Sequence, residues 1–465
     1  MNIPDYVIKI AKELQSQGFE GWIVGGSIRD LLLGKKASDY DIATNATPDQ
    51  LMRIFRRTVP TGIKHGTVTV ISGSHSVEVT TFRSDGKYSD FRRPDSVTYA
   101  RTILEDLSRR DFTINAIAYS PVTGELLDPY VGKSDLENRI IRSVGDPFER
   151  FKEDGLRPYR ACRFAAQLGF SIEAKTFKAI SECLESASKV SMERIRDEFI
   201  KIIQSPKPST GVELLRRSGL LEVFLPELLT GFGINQNKYH RFDIYYHNLF
   251  TCDAARQDNL CIRLAALFHD IGKFYAKREV ESKGSDTRKS VFYNHEIIGA
   301  AVTRRIMRRL KFSNQEVKLV THLIRYHMFH YTNQWTDGAV RRFIRKVGIE
   351  NLDALFELRR ADRIGNGLKS GESRSIQNLK KRIEKVLEEA NAITVKDLAV
   401  NGYDIMNEFN IKPGPMVGKI LNHLLEEILD DPSKNQPVVL LTLARDFYNK
   451  INAPEPLNEG ISASH

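Results

Sequence analysis

This sequence contains little cysteine and no long hydrophobic run. Its four cysteines show no Cys-x-x-Cys spacing, which argues against structural zinc and against a disulfide framework. No apolar stretch approaches the roughly 20 residues that a membrane-spanning helix needs, so no membrane partner is expected. The first 17 residues carry charges at helical spacing, which is not the pattern of a signal peptide. These absences together predict a reduced, cytoplasmic protein.

The chain is long and basic. Its 465 residues predict about three domains on a prior of roughly 150 residues each, and 41% apolar residues are enough for a large core. A formal net charge of +10 is the electrostatic signature of a polyanionic partner, although the same excess also serves solubility.

Two aspartates one residue apart, Asp39 and Asp41, follow shortly after the pair Gly25 and Gly26. In an extended strand, residues i and i+2 project from one face, so both carboxylates can share divalent cations. Their hard oxygen ligands suit Mg²⁺, and two such ions can activate a hydroxyl for phosphoryl transfer. The glycines let the backbone approach phosphates, and Arg29 at a helix start can reach the same anions.

A third carboxylate, Glu78, lies in the second of two β-branched runs, 67–71 and 77–82, which predict a hairpin. If this hairpin pairs beside the strand of the two aspartates, Glu78 completes the ligand geometry. Periodicity alone allows an ordinary surface glutamate equally well.

The block 109–119 is predicted to form a helix with Phe112, Ile114 and Ile117 facing inward. Arg110 and Asp111 at its start are placed to contact a nucleotide sugar and its phosphates. Asn115 would lie one turn further along the same helix, and we expect it to bind the nucleotide together with Arg110 and Asp111.

The block 153–157 continues into a helical segment. Asp154 and Arg157 are three residues apart and share a face if both are helical, where they offer an acceptor and a fork of donors to a base edge. The simpler alternative is an intrahelical ion pair. Arg160 and Arg163 fall on neighbouring turns and can bind triphosphate or the base-reading pair.

Histidines concentrate in the middle of the chain, where seven of the eleven fall between positions 240 and 330. The adjacent pair His269 and Asp270 ends an apolar helix, and Lys273 follows to contact phosphate. Mixed nitrogen and oxygen ligands suit a divalent transition metal or Mg²⁺ better than structural zinc. The expected ligands are His247, His269, Asp270, His295, His327 and Asp362. His322 and His330 are the alternatives to His327.

The first three blocks together resemble the class II tRNA nucleotidyltransferases and bacterial poly(A) polymerases, whose head is of the polymerase-beta type. The ordered histidine and aspartate set resembles the HD phosphohydrolases. These resemblances imply Mg²⁺ on Asp39 and Asp41, with Glu78 in the catalytic cluster. They also imply that Asp154 and Arg157 select CTP and then ATP without a nucleic-acid template, and that tRNA is the partner. Gly155 stands where many relatives have proline, a departure that bears on base choice and not on base binding.

The resemblance also implies the organisation of the chain. The fold class expected is an α+β head with a mixed sheet, residues 1–140, followed by all-α parts. These are a neck over 141–225, an HD domain over 241–365 and a tRNA-binding tail over 376–450. The segment 83–101 is similar to a flexible loop that accompanies the switch from C to A addition. The motif at 191–196 is similar to a structural motif of the neck.

Other functions are consistent with the same blocks. A poly(A) polymerase or an A-adding enzyme shares this chemistry, and a phosphohydrolase with an RNA-binding head would use the histidine set alone. A nucleotide-signalling enzyme also combines such domains, but the 153–157 block and the tail disfavour it. The sequence leaves the oligomeric state unassigned.

Overall fold

The computed structural model describes residues 1–37, 39–63, 66–85, 97–236, 241–281, 288–368, 370–389 and 394–452. Most of the loop expected at 83–101 lies outside the described residues, as do residues 282–287 and the last eight residues. Among the helices within these ranges, none is both long and apolar enough to cross a membrane.

The head is built on a seven-stranded mixed sheet with strand order β3-β4-β5-β2-β1-β8-β9. Strands β2 and β5 run parallel, and the other neighbours in this sheet are antiparallel. The strands of the head are β1 Trp22–Val24, β2 Asp41–Thr44, β3 Thr58–Gly62, β4 Thr67–Ser72, β5 His75–Thr81, β6 Arg83–Asp85, β7 Val97–Tyr99, β8 Ala118–Tyr119 and β9 Leu126–Leu127. Its helices are α1 Asp5–Ser16, α2 Gly26–Leu32, α3 Pro48–Ile54, α4 Ile103–Ser108 and α5 Gly132–Glu137. The mixed α+β head is therefore confirmed.

The predicted hairpin is confirmed as β4 and β5. Val68 and Val70 on one strand and Val77 and Val79 on the other are buried, so the β-branched residues line the core side of the sheet. Gly73 makes the turn with a φ of 65°, which is the left-handed region that glycine enters without strain.

The prediction of a helix over residues 109–119 is wrong. Helix α4 ends at Ser108, Phe112 forms an isolated bridge with Ser143, and a 3-10 turn covers Thr113–Asn115 before β8 begins. Phe112, Ile114 and Ile117 are nevertheless fully buried, as expected. A short apolar run does not distinguish a helix from a turn followed by a strand, and the sheet edge decides the outcome.

The neck is helical apart from a two-stranded parallel sheet of β10 Ile140–Ile141 and β11 Ser171–Ile172. Its helices are α6 Pro147–Glu153, α7 Arg157–Leu168, α8 Ala174–Glu182, α9 Leu184–Ser188, α10 Met192–Ile203, α11 Pro208–Arg217, α12 Leu220–Phe224 and α13 Pro226–Leu229. Asp154 and Arg157 do not share one helix, because α6 ends at Glu153 and Asp154 is extended, with φ −133° and ψ 105°. The expectation that they lie on one helical face is therefore wrong.

The middle and the tail are also mostly helical. The middle contains α14 Ile244–Ala254, α15 Leu260–Phe268, α16 Lys273–Ala276, β12 Lys277–Glu281, β13 Arg288–Phe292, α17 His295–Arg309, α18 Asn314–Tyr326, α19 Asp337–Val347 and α20 Leu352–Gly365. The tail side contains α21 Arg374–Glu389, α22 Gly402–Phe409, α23 Pro415–Asp430 and α24 Pro437–Asn452. The antiparallel pair of β12 and β13 departs from the all-α expectation for this region.

One hydrophobic cluster runs from the head through the neck and the middle to α21, whereas α22, α23 and α24 enclose a separate, smaller core. The two cores meet where α19 packs on α23. There Arg342 contacts Glu426 at 2.8 Å and Asp430 at 2.5 Å, and the buried Arg341 donates to the Leu429 carbonyl at 2.9 Å. The tail is therefore attached mainly through charged and polar contacts.

We predict that Gly155→Ala destabilises the chain, because a Cβ at this position would lie 2.2 Å from the carbonyl oxygen of Ser186. Overpacking of this kind costs about 1–3 kcal/mol of unfolding free energy. The control is Gly418→Ala on the exposed side of α23, where nothing lies within 4 Å of the new Cβ, so alanine should be neutral or slightly stabilising. Urea denaturation measures both, and equal stabilities would contradict the packing role of Gly155.

Candidate active site

Three carboxylates meet at the centre of the head sheet. Asp41 begins β2 and lies in register with Val24 of β1 on one side and Glu78 of β5 on the other. The third carboxylate is that of Asp39, which lies just before β2. All three side chains, Asp39, Asp41 and Glu78, are exposed to solvent. Partial desolvation raises the pKa of Asp41, as do the negative charges of Glu78 and Asp39, while Arg110 lowers it. The cluster thus carries excess negative charge that a bound cation would relieve.

The glycine pair closes over these carboxylates. Gly25 follows β1 with a φ of 77°, and a Cβ there would lie 3.1 Å from Arg110 Nη1 and 3.9 Å from Asp41 Oδ2. A side chain at this position would therefore be strained and would crowd the charged groups. Gly26 starts α2, and a Cβ on it would lie 3.5 Å from Nη2 of Arg29.

The arginines of the head are held by acceptors that sequence reasoning missed in part. Asp106 on α4 is 1% exposed and binds both Arg109 at 2.8 Å and Arg110 at 3.0 Å. Burial alone would raise the pKa of Asp106, but Arg110 and Arg109 outweigh it and lower the pKa. Arg29 Nη1 donates to Asn115 Oδ1 at 2.9 Å. The role of Asp106 as an acceptor for two arginines was not predicted, because a single aspartate on a short helix forms no recognisable sequence pattern.

Asp111 joins the head to the neck. Its Oδ1 accepts from Asn115 Nδ2 at 3.0 Å, and its Oδ2 accepts from Arg160 Nε on α7 at 2.7 Å. Although burial opposes the charge, Arg160 and Asn115 lower the pKa of Asp111 to about 2. Three of the predicted nucleotide-binding residues therefore form one hydrogen-bonded group across the head–neck boundary.

Phe164 on α7 lies among three guanidinium groups, and sequence reasoning did not identify it. Arg163 lies 3.8 Å from the ring centroid, with Arg29 at 5.2 Å and Arg160 at 5.4 Å. Such distances allow cation–π attraction. Arg163 also forms an ion pair with the buried Glu198 of α10, with Nε 2.5 Å from Oε2. This arrangement gathers three guanidinium groups around one aromatic ring of α7.

The two predicted base-reading residues are close in the chain but make separate contacts. Arg157 is buried and donates to the carbonyls of Arg150 at 3.1 Å and Arg109 at 3.0 Å, and to Glu153 at 3.0 Å. Asp154 Oδ1 accepts from the Leu156 N–H at 3.0 Å and lies 3.5 Å from Arg194 Nη2. Arg194 thus connects α10 to the segment between α6 and α7.

The histidine and aspartate set predicted in the middle of the chain converges from α14, α17, α18, α20 and the end of α15. His247 Nε2 lies 3.3 Å from Asp270 Oδ2 and 3.2 Å from Asp362 Oδ1. Asp270 Oδ1 lies 3.3 Å from His295 Nε2 and 3.8 Å from His327 Nε2. His269 Nε2 lies 3.3 Å from Asp270 Oδ2.

The imidazoles of this set are oriented by the backbone. His269, His295 and His327 each donate from Nδ1 to a carbonyl, at 2.8, 2.8 and 2.7 Å, so that Nε2 faces the carboxylates. This is how metal-binding histidines are usually fixed. Burial opposes a charge on His269, but Asp270 and Asp362 raise its pKa to about 10. Asp270 and Asp362 thus favour a positive charge beside them, whether a protonated imidazole or a metal ion. The imidazole nitrogens and carboxylate oxygens of this set fit a divalent cation.

Of the two alternatives to His327, His322 points away from the cluster and His330 lies beside it. His322 Nε2 donates to the Val347 carbonyl at 2.6 Å, away from the carboxylates. His330 lines a cavity of about 500 Å³ that opens over the cluster, together with Lys273, Arg359 and Arg363. Lys273 Nζ lies 2.5 Å from Asp270 Oδ2.

A mixed sheet that presents paired carboxylates beside a wall of arginines defines the class of this protein as a nucleotidyltransferase. Three family models match the chain. The "Poly A polymerase head domain" covers residues 21–142, the "Probable RNA and SrmB- binding site of polymerase A" covers 169–231, and tRNA nucleotidyltransferase domain 2 covers 292–444. The chain belongs to the family of CCA-adding enzymes.

Relatives match nearly the whole chain. A CCA-adding enzyme of Enterococcus faecalis is 34% identical over 95% of both chains, and one of Geobacillus sp. is 35% identical over 89% of both. The crystal structure of a Bacillus stearothermophilus CCA-adding enzyme in complex with CTP is 27% identical. It superimposes with a TM-score of 0.72 over 97% of this chain and 99% of that one.

We predict that Asp111 carries a pH-dependent part of the stability. Its pKa is about 2 in the folded chain against 3.8 ordinarily, so its ion pair stabilises the fold above about pH 4, and this contribution is lost as the pH falls towards 2. This difference in the pKa of Asp111 corresponds to about 2 kcal/mol of unfolding free energy. Asp111→Asn should therefore be less stable than wild type at pH 7, and the gap should shrink towards pH 3.

Urea unfolding at a series of pH values measures this gap. The control is Asp446→Asn on the exposed surface of α24, whose effect should not change with pH in the same way. A gap between wild type and Asp111→Asn that stays constant from pH 7 to pH 3 would show that the charge of Asp111 is not what stabilises the junction.

Proposed function

We propose that this chain adds cytidine, cytidine and adenosine in turn to the 3′ end of tRNA, using CTP and ATP and no nucleic-acid template. The observation that carries the proposal is the register of Asp41 with Glu78, beside Gly25 and Arg110, in a chain whose full-length relatives are CCA-adding enzymes. The reaction takes place on tRNA, which supports a cytoplasmic location.

The family depends on a divalent metal, and we propose that Mg²⁺ is held by Asp39 and Asp41 with Glu78 alongside. When bound, the metal pair would activate the 3′ hydroxyl and stabilise the leaving pyrophosphate. The three carboxylates are exposed and mutually repulsive, which suits this ligand role.

The remaining groups bind and orient the nucleotide. Gly25, Gly26 and Arg29 are placed for the phosphates, and Arg110, Asp111 and Asn115 for the sugar and phosphates. Arg160 and Arg163, already gathered around Phe164, neutralise the triphosphate. Preorganised positive charge lowers the barrier where negative charge develops.

Base reading falls to Asp154 and Arg157. Because Arg157 holds Glu153 and two backbone carbonyls, its guanidinium must exchange some of these bonds for the edge of the base. Asp154 likewise has to leave Arg194. Gly155 lies close to Ser186 in the turn that separates Asp154, after the end of α6, from Arg157 at the start of α7.

We also propose the division of labour along the chain. Residues 1–140 form the catalytic head and 141–225 the neck for nucleotide selection and RNA binding. Residues 376–450 form the tail that holds tRNA. A poly(A) polymerase or an A-adding enzyme would use the same head, and the names of the full-length relatives favour CCA addition over both.

A second activity is supported by the converging histidines in 241–365. Five imidazole and carboxylate ligand positions face one another across 3.2–3.8 Å, and a sixth, His269, joins both carboxylates. We propose that His247, His269, Asp270, His295, His327 and Asp362 bind a divalent transition metal or Mg²⁺. The metal would supply an activated water for hydrolysis of a phosphoester.

Extension of a tRNA transcript that lacks its 3′ CCA tests the first proposal. Wild type should add three nucleotides and stop when given CTP and ATP, whereas Asp39→Ala or Asp41→Ala should lose about a thousandfold in rate, since removing metal ligands forfeits several kcal/mol. Asp49→Ala, on the exposed start of α3, is the matched control. Long tails from ATP alone would show a poly(A) polymerase, and a single A added only to transcripts ending in CC would show an A-adding enzyme.

Calorimetric titration with Mn²⁺ or Ni²⁺ tests the second proposal in an Asp39→Ala/Asp41→Ala background, where the head no longer contributes ligands. We expect tight binding that His295→Ala or Asp270→Ala weakens at least tenfold, as loss of a ligand does. His322→Ala is the control, because His322 donates to Val347 and should leave the titration unchanged. Equal effects of His322→Ala and His295→Ala would rule out this cluster as the metal site.

A further inference from the structure

Helix α17 carries an exposed basic face at the end that meets the neck. Arg304, Arg305 and Arg308 are exposed on it, and Lys311 follows directly after the helix. These four residues are called the α17 basic face. Within the described ranges none of the four side chains forms an ion pair, whereas the neighbouring Arg309 is paired with Glu227 at 2.6 Å.

Helix stability accounts for only part of this charge. Positive side chains in the last turn interact favourably with the helix dipole, which explains Arg308 and Arg309. Arg304 and Arg305 lie before the last turn, and like charges three or four residues apart repel one another on a helix surface. Glu227 is already engaged by Arg309, and Arg305 acts on the Glu227 carboxylate only through its charge, without an ion pair. The surplus charge therefore has no partner inside this part of the fold.

The backbone at Lys311 adds a second, independent observation. The Lys311 N–H donates to the Arg308 carbonyl and the Phe312 N–H to the Met307 carbonyl, both at 3.0 Å, which closes the helix as a Schellman motif. Lys311 has a φ of 58°, in the left-handed region where glycine is favoured. A lysine is thus held where glycine would fit with less strain, which indicates a use for its ammonium group.

The α17 basic face borders the neck. Arg309 donates to the Phe224 carbonyl of the neck at 3.0 Å, and Arg196 of α10 donates to the Lys311 carbonyl. Arg194, two residues before Arg196 on the same helix, contacts the base-reading Asp154. The α17 basic face and the segment that carries Asp154 thus both contact the neck helix α10.

We propose that the α17 basic face binds the phosphate backbone of the tRNA whose 3′ end lies in the head. The partner follows from charge complementarity: the face presents four cations within residues 304–311, about two helical turns, and none of them is ion-paired within the part of the chain that the structure describes. This inference rests on the proposed tRNA substrate and adds a contact surface outside the head and tail.

The test is the salt dependence of tRNA binding to the full chain. Dissociation constants for a transcript lacking CCA are measured from about 50 to 300 mM NaCl, for wild type and for Arg304→Gln/Arg305→Gln/Arg308→Gln. Each lost phosphate contact should reduce the slope of log K against log salt by roughly 0.7–0.9, so the triple variant should lose about two. Its affinity near physiological salt should fall about tenfold or more, with the rate of addition at saturating tRNA unchanged.

The matched control is Arg53→Gln/Arg56→Gln/Arg57→Gln, which removes the same charge from exposed positions on the head. An equal loss of slope in this control would show an effect of total charge and would overturn the proposal. An unchanged slope in the triple variant of α17, with normal extension of tRNA, would overturn it while leaving the proposed function intact. Wild-type protein that neither binds nor extends tRNA would overturn both.

Lys311→Gly separates binding from folding. Glycine relieves the left-handed backbone, so the melting temperature should not fall, yet the slope should decrease by roughly 0.7–0.9 because one cation is lost. A lower melting temperature together with an unchanged slope would show that Lys311 serves only the helix end and would contradict its part in the surface.

Discussion

The ion pair between Asp111 and Arg160 is the contact on which the nucleotide site depends. Asp111 belongs to the turn that follows α4 in the head, and Arg160 to the first long helix of the neck, so the bond fixes two separately built parts against each other. Through Asn115 the same carboxylate also orients Arg29, and through Phe164 the guanidinium lies beside Arg163. Arg29, Arg160 and Arg163 therefore belong to one connected group, and removing the charge of Asp111 would take from Arg160 its closest carboxylate.

Much of the head could be predicted from the sequence because its signals are local. The two β-branched runs with a glycine turn between them specify β4 and β5, and the pairing of β5 with β2 then places Glu78 against Asp41. The block 109–119 could not be predicted in the same way. Its apolar spacing fits a helix, but Phe112 forms a bridge with Ser143 and the strand β8 pairs with β1, both of which are distant in the sequence. Burial was foreseen correctly there and backbone conformation was not.

The block 153–157 shows the same limit from another side. Spacing of three residues places two side chains on one face only if the helix continues, and here it stops at Glu153. Gly155 and Pro158 are local signals of such a stop, whereas the close approach of Gly155 to Ser186, about thirty residues away, is a tertiary contact that the sequence does not show. The histidine set was easier, since its chemistry is conspicuous and its members are few. The choice between His322, His327 and His330 follows the spacing of α18, where His322 turns instead towards Val347.

The separate core of α22, α23 and α24 has a consequence for how this chain opens. A segment with its own apolar interior, joined to its neighbour by charged side chains at the surface, can exchange its amide hydrogens through local unfolding that leaves the rest of the fold intact. Sequence change in that segment is correspondingly free of the packing demands of the catalytic sheet. This segment can thus diverge in sequence while the sheet that carries Asp41 and Glu78 keeps its packing.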